Sequence, residues 1–422
     1  MSSPNSSAQP KSADRTASTV RVVSPRRLAI ASGVLFFVNG VVYGNWLPRI
    51  PELKDQLGLS NTNLGIALLG GGIGGVIGSL LASRVTKRLG SRRLLLRTIV
   101  PLPVVMAAIP FVGEAWMLLI LLSLIGLIDV WTDLAMNVQG VIAQERLGRS
   151  IINRLHGMWS VGFGIGTLIG SLAAGVGVSF RVQVVVVAVS LLVTVGVVSK
   201  SLEPNDPTRA TTSSDAPIRR RHIGISAVAL AVAGAAAIAL EGAPNEWAAL
   251  LMRDDLNFGQ WAGFGTVAFG IGMVVSRLGG DYVLERLGDQ RLFRLALRLV
   301  FVGITAVVLT SVAWLGLIAL FVSGLGQGVI FPRLYLVAAR VPGMSAGAGL
   351  GAMLVGLRLG GMATSVAMGR ISQSSSVQTA LGVVGIVTLV LLVISSAVVS
   401  GRTASSHGPA AVSHAASNRG AA

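Results

Sequence analysis

The sequence holds 422 residues, 52% hydrophobic and 12% charged, with mean hydropathy +0.74. Soluble domains carry about 25% charged residues, so a water-soluble globular fold is excluded, as is disorder over most of the length. Cysteine is absent, which removes disulfides, thiolate metal sites, iron–sulfur clusters and cysteine nucleophiles together. The net charge of +17 would point to nucleic acid in a soluble protein. In an apolar chain it points to basic cytoplasmic loops.

In chain order, residues 1–25 are rich in Ser, Ala, Pro and Thr and read as a disordered cytoplasmic tail without a signal-peptide pattern. Apolar stretches long enough to span a bilayer follow near 28–50, 62–84, 94–112, 115–143, 152–177 and 180–199. Residues 200–222 are a polar linker with Pro204, Pro207, Pro217 and the run Arg219-Arg220-Arg221. Six more apolar stretches lie near 223–251, 260–284, 293–312, 315–340, 345–370 and 377–400, and 402–422 form a second tail. Continuous apolar runs without alternation predict helices, since lipid satisfies no backbone polar group. The expected architecture is an all-α membrane protein of twelve transmembrane helices, with bundles at 26–199 and 223–401.

The charges orient it. With both termini cytoplasmic, the outward side holds Arg49, Lys54, Arg181, Arg253 and Arg370. Arg333 and Arg358 sit inside spans, and the remaining 27 of the 34 Lys and Arg fall on the cytoplasmic side. The densest clusters are Arg84, Lys87, Arg88, Arg92, Arg93 and Arg97, and Arg277, Arg286, Arg291, Arg294 and Arg298. This distribution accounts for the charge without nucleic acid. The halves also repeat: Leu89-Gly90 is matched by Leu287-Gly288, Gly126 by Gly324 and Gly162 by Gly360, each 198 residues on. Asn39-Gly40 and Trp46 find looser counterparts in Glu241-Gly242 and Trp247.

Twelve spans, a central basic linker and basic loops after the second and eighth spans resemble the major facilitator superfamily. Its loop pattern is roughly Gly-x-x-x-Asp-Arg-x-Gly-Arg-Arg. The first copy here, from Gly78 through Arg84, Arg88, Gly90, Arg92 and Arg93, lacks the acid; the second, from Gly280 through Asp281, Arg286, Gly288 and Arg291, keeps it. Both depart from the common spacing. The resemblance covers 28–400 and implies two pseudo-symmetric six-helix bundles and a gating role for Arg88, Gly90, Arg92, Asp281, Arg286 and Gly288; the alternative is that these residues only set topology. Asp129-x3-Asp133-x3-Asn137-x-Gln139-Gly140 and His156-x2-Trp159-Ser160-x-Gly162 are similar to the YbjJ-type bacterial inner-membrane transporters, distant relatives of the fucose–proton symporters. That likeness implies a transporter and fixes no substrate. The drug–proton antiporter pattern of the fifth span is only partly matched, because Gly162, Gly166 and Gly170 come without its proline.

Charges are costly in a bilayer, about 2.5–3.5 kcal/mol at its centre, so ionisable residues inside spans need partners or a water-filled cavity. Asp129, Asp133 and Asn137 form one stripe at i, i+4, i+8. Two carboxylates four residues apart repel when both are ionised, which suits one of them, Asp133 above all, to carry a proton; a static helix contact is the alternative. Glu241 precedes Gly242, Pro244, Asn245 and Glu246 and is the second candidate, with Glu246 nearer the outward face. Asn39 and Asn45, beside Tyr43 and Trp46, suit a neutral polar solute or a polar helix contact equally. Gln327, Arg333 and Arg358 complete the set, the arginines as counter-charges for Asp133 or Glu241 or as anchors for an anionic group. His156 is a candidate relay or a helix-end donor, and the other histidines, His222, His407 and His414, lie in polar segments.

No phosphate-cradling loop with a Lys-Ser or Lys-Thr tail is present, and neither a Ser–His–Asp set nor a metal cluster is apparent. The reading is therefore a monomeric, cofactor-free secondary transporter of the inner membrane. Its partners are a small-molecule substrate, protons and the lipid bilayer. It works by alternating access, with proton-coupled uptake of a small polar, sugar-like solute ahead of proton-coupled efflux. A membrane sensor or scaffold is the remote alternative.

Overall fold

The computed structural model describes residues 23–202, 224–342 and 344–405; most of the two expected tails and of the linker, with His222, His407 and His414, lies outside the described residues. Among the described residues, eleven helices are long and apolar enough to cross a membrane. The N-terminal half holds α1 (Pro25–Gly44), α2 (Ile50–Gln56), α3 (Asn61–Leu89), α4 (Ser91–Ile99), α5 (Pro101–Ala107), α6 (Ala115–Leu147), α7 (Ile152–Gly175) and α8 (Phe180–Val198). The C-terminal half holds α9 (Ile225–Leu250), α10 (Phe264–Leu287), α11 (Asp289–Leu309), α12 (Ala313–Gln327), α13 (Ile330–Ala339), α14 (Ala346–Ser374) and α15 (Val377–Ser405).

Three sequence boundaries shift. The first helix begins at Pro25, capped by Ser24, inside the expected tail. The last runs to Ser405, past the expected bundle end at 401. The stretch expected as a third span, 94–112, is divided into α4 and α5 at Val100, because Pro101 and Pro103 have no backbone N–H to continue the ladder. Serine side chains cap the long helices α3 and α14: Ser60 accepts from the Asn63 amide and Ser345 from the Ala348 amide.

The 198-residue repeat is built into the packing. α1 packs on α7 as α9 packs on α14, and α3 on α6 as α10 on α12. Glycines set these contacts. A methyl group on Gly126 would collide with the Gly71 carbonyl, and one on Gly324 with the Phe269 carbonyl; Gly162 stands likewise over Phe37 and Gly360 over Ala235. Each second pair lies 198 residues after the first. Close approach of this kind replaces hydrophobic drive in lipid, where apolar tails compete equally for the helix surface. The turns repeat too: Gly90 and Gly288 join consecutive helices at φ 71°, ψ 160° and φ 75°, ψ 160°, a region that essentially only glycine occupies. This register corrects one expectation. Residue 37 answers 235, so Glu241 answers Tyr43, and Asn39 answers Ala237.

The seams predict a stability contrast. Gly74→Ala, whose methyl would enter the Ser123 carbonyl, and Gly272→Ala, whose methyl would enter that of Phe321, are each expected to cost about 1–3 kcal/mol and to lower the thermal midpoint in detergent. Gly157→Ala, with open space at its Cβ, is expected to leave it unchanged or raised. Equal midpoints for all three would contradict the seam assignment.

Candidate functional site

The halves meet along two helix pairs, α3 with α14 and α7 with α10, and at one face of the molecule. That face is sealed. Arg253 donates to the Asp55 carboxylate at 2.6 Å, to the Pro51 carbonyl at 2.9 Å and to Asp254 at 2.6 Å, while Lys54 pairs with Asp254 at 3.5 Å. The Asn61 backbone amide donates to Gln373 at 2.8 Å, and its side chain to the Ser372 carbonyl at 3.2 Å. Trp261 closes over Gly175, and Gly263 over Ser171.

From the seal inward, α3 meets α14 at Gly65 with Ser365, Gly72 with Met362 and Gly75 with Arg358; α7 meets α10 at Phe163 with Gly270 and at Ser160, which accepts from Arg277 at 3.2 Å. One arginine thus stands toward the end of each contact row, on equivalent sides of the repeat: Arg358 lies 198 residues after Ser160, and Arg277 lies 198 after Ser79. Farther along, the repeat-related Leu80 and Leu278 are 74% and 69% exposed. Asp133, midway along α6, is exposed, and Tyr335 of α13 is 42% exposed and within electrostatic range of Asp133, Arg358 and Glu241. Away from the sealed face these groups of the two halves stand exposed beside the contact rows, and the space between them is called the chamber below.

The chamber gathers six of the nine expected substrate and proton residues. The Trp159 indole donates to Asn39 at 2.7 Å, and Asn39 donates to Asp129 at 3.1 Å, a chain from α7 through α1 to α6. The Tyr43 hydroxyl faces the same carboxylate. One turn on, Asn137 donates to Asp133 at 3.0 Å. Glu241 of α9 pairs with Arg277 at 3.3 Å. Arg358 lies within electrostatic range of both aspartates. The polar stripe is thus joined to both neighbouring helices and, across the chamber, to the other half.

The other three lie elsewhere. Asn45 donates to the Val41 and Val42 carbonyls and accepts from Gln183, beside the fully buried Arg49. Gln327 is fully buried and donates to the Ala237 carbonyl at 3.0 Å, between α12 and α9. It stands 198 residues after Asp129, and Ala237 stands 198 after Asn39, so it is the repeat counterpart of the Asn39–Asp129 contact. Arg333 pairs with Asp289 at 3.1 Å and stacks on Phe293, so in this state it neutralises neither Asp133 nor Glu241. Of the expected gating residues, Arg88, Asp281 and Arg286 are exposed, with Arg286 over the Tyr282 ring; Arg92 is half-buried, and Gly90 and Gly288 are the paired turns.

Charge counting placed Arg277 in a basic loop; it is a third arginine inside the spans, ten residues short of the end of α10. Glu246, expected nearer the outward face than Glu241, is half-buried and accepts from Ser365 of α14 at 3.2 Å. Ser160, Trp159 and Tyr335 were not singled out as binding groups. His156, edge-on to Phe36, stands one turn beyond Ser160.

The seal itself is testable. Arg253→Gln removes two carboxylate partners and a carbonyl contact at once. It is expected to raise, by about tenfold, the labelling of a cysteine placed at the now fully buried Ser171 by a reagent added on the sealed side. Unchanged labelling would show that the ion pairs do not hold the face shut.

Two helical halves related by an internal repeat, enclosing a polar chamber open on one side, define a membrane carrier architecture. The family model described as Major Facilitator Superfamily matches residues 32–346, and the chain belongs to that superfamily as a multi-pass membrane protein. It is 25% identical over 370 residues to an uncharacterised MFS-type transporter of Yersinia pestis, covering 85% of this chain and 93% of that protein. It is 26% identical over 320 residues to the membrane protein MosC of Rhizobium meliloti, covering 75% and 76%. The fold is shared with the nucleoside transporter NupG, with a TM-score of 0.71 at 14% identity over 88% of this chain and 98% of that one. It is also shared with a bacterial homologue of the human lysosomal transporter Spinster, solved inward-facing and occupied, with a TM-score of 0.64 at 12% identity over 89% and 97%.

Proposed function

We propose that the chain is a proton-coupled secondary transporter that imports a small polar solute by alternating access. The two bundles, 26–199 and 223–401, rock about the chamber, and α4 with α5 supplies the third of twelve crossings. Both termini lie on the cytoplasmic side of the inner membrane, so the open side faces the cytoplasm. The basic loop clusters around Arg88 and Arg291, on the open side, support that orientation.

One observation carries the reading: Asp129 and Asp133 from one half and Glu241, Arg277 and Arg358 from the other converge at the inner end of the chamber, next to the contacts that must part and re-form. A proton or solute binding there touches both halves. It therefore interacts differently with the open and closed states, which is what shifts such an equilibrium. Asp133 is the titrating group reached from the open side, and Asn39, Asn137 and Tyr335 offer polar and aromatic contacts to the solute. Asp281 and the arginines at 88, 92 and 286 meet when the open side closes. In proteoliposomes with an imposed pH gradient, saturable accumulation of a solute against its own gradient is expected. Unsaturable conductance, or flux indifferent to the proton gradient, would sink the reading. The sign of the gradient that drives accumulation decides between uptake and efflux.

A further inference from the structure

We propose that the transported solute carries a carboxylate and that the Arg358 guanidinium is its anchor; this rests on the proton-coupled reading above. The other arginines described along the pore have partners. Arg277 holds Glu241 and Ser160, Arg253 holds Asp55 and Asp254, and Arg333 holds Asp289. Arg358, half-buried in the middle of α14, has no hydrogen bond or ion pair among the described residues, although Asp129 and Asp133 are both within its field. Its guanidinium rests over Gly75, where a side chain would displace it. A charge held at this depth needs a partner. The planar fork of N–H donors matches a carboxylate in a two-point contact that an ammonium could not reproduce.

The chamber's carboxylates, Asp129, Asp133 and Glu241, outnumber Arg277 and Arg358, so an anion entering alone is repelled. The repulsion couples the anion to a proton. When the solute carboxylate takes the Arg358 N–H groups in the outward-open state, Asp133 loses its share of that positive field and takes a solvent proton from the same side onto a carboxylate oxygen; both are released together on the cytoplasmic side. Charge balances, one negative solute with one proton, and no covalent bond to the solute changes. Asp129 is less suited, because Asn39 and Tyr43 already face it. The other groups facing this space are Tyr335, Glu241 and Arg277, the last two paired with each other. A cationic solute would leave Arg358 unpartnered and repelled.

The test compares six-carbon probes of one size, glucuronate, glucose and glucosamine, together with gluconate, succinate and lactate, by thermal midpoint of the detergent-purified protein at pH 6 and pH 8. At least one acid is expected to raise the wild-type midpoint, more at pH 6 than at pH 8. The shift is expected to shrink in Arg358→Lys and vanish in Arg358→Gln, and to lose its pH dependence in Asp133→Asn. If Arg358→Gln does not fold, Arg358→Lys and the Asp133→Asn pH profile decide. No stabilisation by any of the acids, equal stabilisation of the Arg358 variants, or stabilisation by glucose or glucosamine alone would overturn the proposal. Proton-driven accumulation of glucose or glucosamine would leave the transport reading standing while the anchor fails. Acid binding through Arg358 without proton-driven accumulation would do the reverse.

Discussion

Asp133→Asn is expected to abolish proton-driven accumulation while leaving solute exchange across the membrane measurable. A gradient of one pH unit is worth about 1.4 kcal/mol per proton, enough for about tenfold accumulation at one proton per solute. With an amide at 133 the proton has no carrier at the exposed position of the stripe, and the accumulation ratio falls to about one. Exchange of labelled for unlabelled solute needs no net proton movement, so it persists. Asp129→Asn is expected to act more weakly, since that carboxylate is already engaged by Asn39 at 3.1 Å. Accumulation at the wild-type ratio in Asp133→Asn would remove Asp133 as the coupling group.

Arg277→Gln has the second large effect. Arg277 and Glu241 are 23% and 15% exposed, and removing the cation leaves Glu241 with an uncompensated charge among apolar helices. Loss of one partner of a buried pair costs about 3–5 kcal/mol; residual exposure reduces that here to about 2 kcal/mol. The same change releases Ser160 and loosens the α7–α10 contact where the halves part. Glu241→Gln is expected to cost less, because a freed arginine can reach water in the open chamber. The double variant, neutral on both sides, is expected to be more stable than Arg277→Gln alone. Additive midpoint shifts would mean that the two side chains are not coupled.

Much of this arrangement was legible in the chain. Helical spans follow from continuous apolar runs, and the glycines at 126 and 324 or 162 and 360 announced the repeat because close packing in lipid needs them at matching depths. The stripe Asp129, Asp133, Asn137 was visible because charges are so rare within spans. Partners were not legible. Arg277 and Arg333 both lie on helices of one half, and only the tertiary arrangement sends the first to Glu241 and the second to Asp289. The break at Val100 was signalled by Pro101 and Pro103, yet hydropathy ran straight through it. The seal was invisible because Asp55, Arg253 and Asp254 lie nearly 200 residues apart in polar turns, where isolated charges carry no pattern.

Alternating access requires that one chamber be exposed to one side at a time. The cysteine-free chain allows it to be tested with a single thiol at position 137, next to Asp133. In Asn137→Cys, an impermeant maleimide is expected to label from the open side and not from the sealed side. Adding Arg253→Gln is expected to bring labelling from the sealed side up as labelling from the open side falls. Labelling from both sides at full rate in the same protein would contradict alternating access and point to a continuous pore.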